Sequence, residues 1–225
     1  MSERTSKSSG GGTRAVASKA RAAGTAASRA DRAAERRAAI VQAAMDEFIA
    51  RGFAATRLDD IAKRAGVAKG TIYLHFKDKE SMFEELIRTA IVPFVSRLAA
   101  PPPSGSVRDM IEALARMFLQ EIAGTRRADL VRLIIAEGPR FPAIVDFYYR
   151  EVVSRVLAAM RALIQIAIAR GEICEPKLVQ FPQLMIAPMV VAVLWKSLFE
   201  RHAPLDAEAM LQTHLDLIFG ARRPT

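Results

Sequence analysis

Cysteine is nearly missing. Cys174 stands alone among 225 residues, so no intrachain disulfide can staple the chain, and a reducing compartment is the simplest setting. With no partner motif beside it, its thiol reads as a small apolar residue in a core. Histidine is scarce too: His75, His202 and His214 are the only three, and none forms the i, i+4 pair of a helical zinc site. No Gly-rich phosphate loop, G-x-S-x-G or C-x-x-C occurs, which removes the familiar machinery of nucleotide binding, acyl transfer and thiol redox chemistry. The chain therefore reads as neither an enzyme nor a metal protein, and no cofactor is expected. No apolar core follows the first basic residues, as a secretory signal would require. The longest apolar run, Leu184 to Trp195, is too short to span a bilayer and contains Pro188. The expectation is a cytoplasmic protein with no membrane partner.

What the chain does have is helix-forming apolar residues and positive charge. It is 51% hydrophobic and 25% charged, enough for one large or two modest globular domains. The net charge of +9 suggests an anionic partner. Residues 1–76 hold 14 Lys and Arg against 7 Asp and Glu, while the remainder is close to neutral. The anion-binding surface is thereby placed in the N-terminal third.

Residues 1–30 are Ser, Gly, Ala, Lys and Arg with nothing apolar larger than Val16. Such a segment cannot bury enough surface to offset chain entropy and reads as a disordered basic tail. A solvated tail, a phosphate-binding arm and an organelle transit peptide all fit its composition. From Asp31 on the apolar spacing is helical. Ile40, Ala44 and Phe48 recur at i, i+4, i+8, and Gly52 offers a stop. Thr56-Arg57-Leu58-Asp59 has the form of an N-cap with an acid three residues on. A short helix follows, then the turn Ala65-Gly66-Val67, a second short helix, and Asp78 as N-cap of a longer one. Pro101-Pro102-Pro103 marks a linker. Beyond it, helical segments fall at about 106–123, 127–137, 142–170, 182–202 and 206–219, with no strand-like alternation. The class is all-α, with a tail at 1–30, a helix-turn-helix unit at 31–78 and a helical bundle at 79–225.

Gly70, three residues into the second short helix, is the informative position. Glycine costs a helix about 1 kcal/mol against alanine. In a helix-turn-helix the second helix enters the major groove N-terminal end first, and a glycine there lets the backbone approach the bases. Lys69 can reach guanine acceptors or a phosphate, Thr71 and Tyr73 offer hydroxyls, and His75 and Lys79 add donors. Ile72 and Phe76, four apart, face inward. Spacing alone leaves an ordinary surface helical hairpin as an alternative.

The residues themselves carry more. Thr56 through Phe83, TRLDDIAKRAGVAKGTIYLHFKDKESMF, resembles the DNA-binding domain of the tetracycline-repressor (TetR) family. The similarity lies in Asp60–Val67, Lys69–Phe76 and Lys77–Glu80, and it extends back through the helix at 36–51. It implies a two-domain, all-helical, homodimeric repressor of a palindromic operator in double-stranded DNA. In the family the start of the recognition helix touches bases, which falls here on Ala68, Lys69, Gly70 and Tyr73. Phosphate contacts fall on Thr71, His75 and Lys79, and Thr56 joins them as a candidate. Two departures stand out. Ala68 replaces a frequent Ser, and Asp59 sits where an acid would repel phosphate unless Thr56 and Asp59 cap the helix.

The C-terminal half is implied to hold the dimer interface and a pocket for a small apolar or amphipathic effector. Leu130 to Val153 resembles the ligand domain of a subgroup linked to efflux or quorum-type genes. Met117, Phe118, Leu133, Phe147, Tyr148 and Met160 are pocket candidates, because Met and aromatic side chains line adaptable sites; plain core packing is the alternative for each. Arg132 and Glu137 are read as orienting a ligand, or as paired with each other or with solvent. Leu184–Trp195 and Ala207–Phe219 are apolar enough to pair across a two-fold axis.

Overall fold

Apolar spacing, one glycine and one capping pair settle where the first helices begin and end. The computed structural model describes residues 12–98 and 105–221, with side chains from residue 31 onward. Residues 1–11 of the expected tail and the linker at Pro101–Pro103 lie outside the described residues, and residues 12–30, expected as disordered, are instead helical, the first turns of α1, in keeping with the high helix propensity of their Ala, Lys and Arg. Helix α1 (Gly12–Ala55) buries Ile40, Ala44 and Phe48 completely. At Gly52 the backbone leaves the helical region (φ 79°, ψ 164°), a conformation glycine reaches without steric cost. Phe53 is thereby turned back into the core.

Helix α2 (Leu58–Ala65) differs from expectation at its start. Arg57, in extended backbone, holds the N-cap position and makes no side-chain cap. Thr56 lies on the α1 side of the corner, and its hydroxyl donates to the carbonyls of Gly52 (2.7 Å) and Glu47 (3.1 Å). Those carbonyls sit at a helix end, where acceptors lack intrahelical donors. Gly66 ends α2 in left-handed backbone (φ 65°, ψ 30°), its N–H pointing at the carbonyls of Ala62 and Lys63. Helix α3 (Lys69–His75) follows, then α4 (Lys79–Ala90), which opens on a reciprocal cap. Asp78 accepts from the Ser81 N–H (2.7 Å), and Ser81 Oγ accepts from the Asp78 N–H (3.2 Å).

The rest is a bundle of α5 (Val92–Leu98), α6 (Val107–Phe118), α7 (Arg127–Glu137), α8 (Pro142–Tyr148), α9 (Ser154–Ala169), α10 (Gln183–Leu198) and α11 (Ala207–Phe219). No strand occurs among the described residues, as the all-α class requires. Two expected helices carry inserted π-helical turns: Leu119–Ala123 extends α6, and Tyr149–Val153 joins α8 to α9. Each π turn shifts which side chains face the bundle, something a 3.6-residue period cannot foretell.

Two cores result. The larger runs without interruption from Ile40, Phe48 and Ile72 through Phe83 and Ile87 to Leu130, Ile134, Ile144 and Phe147. It therefore joins the helix-turn-helix to α7 and α8. The smaller gathers Val107, Ile111, Met160, Ile164, Met185 and Leu215. The run Pro142–Ala169 is long and apolar enough to cross a bilayer by length and composition. Here its side chains Ile144, Phe147, Met160 and Ile164 are shared between these two cores. Cys174 is corrected: it is exposed, because in the loop after α9 its neighbour Ile173 takes the buried place.

Candidate nucleic-acid interface and regulatory cavity

Helix α3 has two sharply different faces. Ile72 (0% exposed) and Phe76 (3%) hold it against Met82 and Phe83. Outward, Ala68, Lys69, Gly70, Tyr73 and Leu74 are exposed, while Thr71 and His75 are half-buried. Leu74 apart, these are the residues expected to meet bases and phosphates, gathered on one short surface; Thr56 and Lys79 lie elsewhere. Leu74, which no sequence signal singled out, stands on the same face, 82% exposed. An apolar side chain standing free in this way is of the kind that packs on the methyl group of thymine.

Gly70 is informative through what it does not touch. A Cβ built there meets nothing within 4 Å, and its φ is not positive. Neither packing nor backbone conformation requires a glycine. Gly52 is the opposite case: its φ is positive, and a Cβ there would lie 2.3 Å from Glu137 Oε1.

Electrostatics tune the same face. Lys69 Nζ lies 2.8 Å from Asp59 Oδ1, and the hydrogen bond to that carboxylate raises the lysine pKa. Asp59 thus neither caps α2 nor stands as a bare repulsive charge. Both partners are about half exposed, so the pair contributes little stability and Lys69 can exchange it for a phosphate or a guanine. Behind this surface Glu47, almost fully buried, takes Arg64 Nε at 2.6 Å, with Arg51 Nε 3.1 Å from its other oxygen. That network fixes α2 on α1 and so sets the angle at which α3 projects.

Two site assignments are corrected. Thr56 is 2% exposed, and its hydroxyl serves α1 as described, so it does not face DNA. Lys79 Nζ donates to the carbonyls of Phe53 (2.7 Å), Ala54 (3.1 Å) and Thr56 (3.2 Å) and lies 4.6 Å above the Phe53 ring. A cation at a helix C-terminus satisfies carbonyls that have no other donor, so this ammonium closes the α1–α2 corner.

From the other side that corner is gripped by Glu137, at the end of α7. Its carboxylate accepts the N–H groups of Phe53 and Ala54, both at 2.9 Å. Glu137 therefore does not pair with Arg132, whose guanidinium goes to Asp129 one turn away. Replacing Glu137 by Ala leaves two backbone donors without their acceptor. The expected cost is about 1–2 kcal/mol, since the site is partly solvated. Hydrogen exchange read by mass spectrometry should show the Phe53 and Ala54 amides opening faster; unaltered exchange at both would mean the carboxylate is not holding the corner.

Among the bundle helices lies a cavity of about 330 Å³. Phe118, Tyr148 and Met160 line it, as expected, but four candidates do not. Met117 packs on the larger core. Phe147 is 2% exposed beneath the guanidinium of Arg88, 4.7 Å from its ring. Arg132 and Leu133 lie on another face of α7, around a separate shallow depression. One residue along a helix turns a side chain by about 100°, which puts Tyr148 in the cavity and its neighbour Phe147 in the core. Most of the wall comes from aliphatic residues that sequence could not separate from core, among them Ile91, Ile111 and Val190. The π turn after Tyr148 brings Val152 and Val153 to the wall together. From α7, Val131 and Ile135 also line the cavity, so one helix touches the cavity and ends at the α1–α2 corner.

Comparisons with known proteins agree with this architecture. Residues 40–86 match the family described as bacterial regulatory proteins, tetR family, and residues 101–215 match the description tetracyclin repressor-like, C-terminal domain. The transcriptional repressor BepR of Brucella suis is 34% identical over 154 residues, covering 64% of this chain and 71% of BepR. The chain spans 57% of the length of mycobacterial helix-turn-helix regulators that it matches at 28% identity over 122 residues. A crystal structure from Mesorhizobium loti assigned to the TetR family superposes with a TM-score of 0.62 at 26% identity, covering 83% of this chain and 96% of that one. FadR of Bacillus subtilis, solved with stearoyl-CoA, shares the fold with a TM-score of 0.64 at 22% identity, over 82% of this chain and 98% of FadR.

Proposed function

Because the chain belongs to the TetR family of bacterial regulatory proteins, we propose that it is a ligand-responsive repressor that binds a palindromic operator as a homodimer. The observation that carries the reading is the outer face of α3. There Lys69, Tyr73 and Leu74 stand exposed around a glycine that has no internal reason to be one. Lys69, Tyr73 and Leu74 read bases, and Thr71 and His75 at the edge meet phosphates. The site of action is the bacterial cytoplasm.

A dimer is supported by apolar side chains left in solvent on α10 and α11. Leu184, Val191, Leu198 and Leu217 are 50%, 42%, 58% and 81% exposed. Along these helices they form a surface that a second copy would cover, setting the separation of two α3 helices to one turn of DNA or a multiple. His214 lies in the same face, and burial lowers its pKa, so the imidazole is neutral there at pH 7.

Regulation follows from α7. A molecule filling the cavity pushes on Val131 and Ile135, and α7 passes the displacement through Glu137 to the α1–α2 corner. Ligand and operator then favour different settings of the same helix, and each lowers the affinity of the other. That FadR is solved with stearoyl-CoA supports a bound effector for this bundle.

The test is selection of bound fragments from a random DNA pool, followed by gel shifts on the selected operator. Lys69→Ala and Tyr73→Ala should each weaken binding by about 1–3 kcal/mol. Wild-type affinity in both variants would remove α3 from the interface. Failure to select any sequence would favour an all-helical sensor whose partner is a protein.

A further inference from the structure

The cavity wall has one polar side chain. Around about 330 Å³, every lining residue is aliphatic, Met or Phe except Tyr148. The Tyr148 hydroxyl makes no hydrogen bond to any described residue, although the ring is packed into the larger core. No carboxylate, ammonium, guanidinium or imidazole reaches the wall. Ionised groups close to this part of the bundle are held elsewhere: Arg97 pairs with Glu121, and Arg127 donates to the Glu121 carbonyl at 2.9 Å.

We infer that the cavity takes an uncharged, largely apolar molecule carrying one hydrogen-bond acceptor, such as a ketone or ester oxygen, and that Tyr148 Oη donates to it. This assignment rests on the regulatory reading for its biological consequence and on the cavity chemistry alone for the ligand class. An ion entering this space would lose its hydration and meet no counter-charge, which disfavours both anions and cations strongly. A pure hydrocarbon fills the space but leaves the tyrosine donor unpaired, and an unmet buried donor is costly. An acceptor oxygen resolves both. Burial raises the Tyr148 pKa to about 12, so the hydroxyl stays protonated and remains a donor at any physiological pH. At about 330 Å³ the space is near the small end of ligand pockets, roughly 300–1,000 Å³, and suits one ring with a short chain.

Four probes of similar bulk separate the possibilities: butyrophenone, butylbenzene, 4-butylbenzoate and 4-butylbenzylammonium. Calorimetric titration of the full chain at pH 7 should show butyrophenone binding about 5–10-fold more tightly than butylbenzene, the increment of one hydrogen bond. The two ions should bind at least about 100-fold more weakly than the ketone. In Tyr148→Phe the ketone should lose its advantage over the hydrocarbon, while butylbenzene binds at least as tightly as to the parent chain, no donor now being left unpaired, and so reports an intact cavity. Either ion matching the ketone, no detectable ketone binding, or a ketone preference surviving in Tyr148→Phe would overturn the assignment. Gel shifts with the same probes keep the two readings apart. Ketone binding that leaves the operator complex intact refutes the regulatory role while the ligand class stands. Operator release by an ion alone refutes the ligand class while regulation stands.

Discussion

Gly70→Leu is expected to fold as well as the parent chain and to lose its operator. The structure supplies both halves. A side chain at position 70 meets open space, with nothing within 4 Å of its Cβ, and leucine is a far better helix former than glycine, by nearly 1 kcal/mol. Thermal stability should therefore hold or rise slightly. On the proposed function, that open space meets the floor of the major groove in the complex. A four-carbon side chain there lifts α3 away, so Lys69, Tyr73 and Leu74 lose their base contacts together, at both half-sites of a dimer. Specific affinity should fall to the level of random DNA, a loss of about 10³-fold or more. Circular dichroism melts and gel shifts decide the matter. Gly70→Ala is the graded control, adding one methyl group where clearance is least. A Gly70→Leu protein that binds operator normally would show that α3 does not approach the groove end-on and that its glycine is incidental.

The contrast between two glycines shows what sequence could and could not provide. Gly52 reads as a helix stop and is one, with a positive φ that any sequence argument would anticipate. Its second duty, leaving room for the Glu137 carboxylate, joins residues 85 positions apart and is invisible to local pattern. The same limit explains Thr56 and Lys79. Both sit where the family resemblance puts phosphate contacts, and only the folded corner shows the carbonyls that claim them. Helix positions were legible because apolar spacing is a local signal. Facing inside the bundle was not, since two π turns shift the register and an apolar residue lining a cavity looks like one lining a core. Tyr148 was legible as a pocket candidate and Phe147 beside it was not separable from it.

Phe53→Ala should destabilise the protein by about 3–5 kcal/mol, the usual cost of emptying a buried aromatic site. Phe53 is 1% exposed, and its ring centroid lies 5.2 Å from that of Phe48, 5.5 Å from Phe83 and 4.7 Å from Phe141. Three of these rings come from α1 and α4, and Phe141 from the turn after α7. The lost ring would also leave Lys79 without the aromatic face beneath its ammonium. Against a typical total of about 5–15 kcal/mol, and at about 2–4 °C per kcal/mol for a chain of this size, the melting temperature should drop by roughly 6–20 °C. Because the larger core runs unbroken from α1 to α8, that drop should appear as one cooperative transition moving as a whole. Differential scanning calorimetry distinguishes this from the alternative, in which a second, unmoved transition marks a bundle that melts independently. Phe53→Leu, which keeps most of the volume, should recover much of the loss. If Phe53→Ala splits the melt in two, the corner is a joint between separately folded parts, and a push from the cavity could not travel through α7 to the recognition helix.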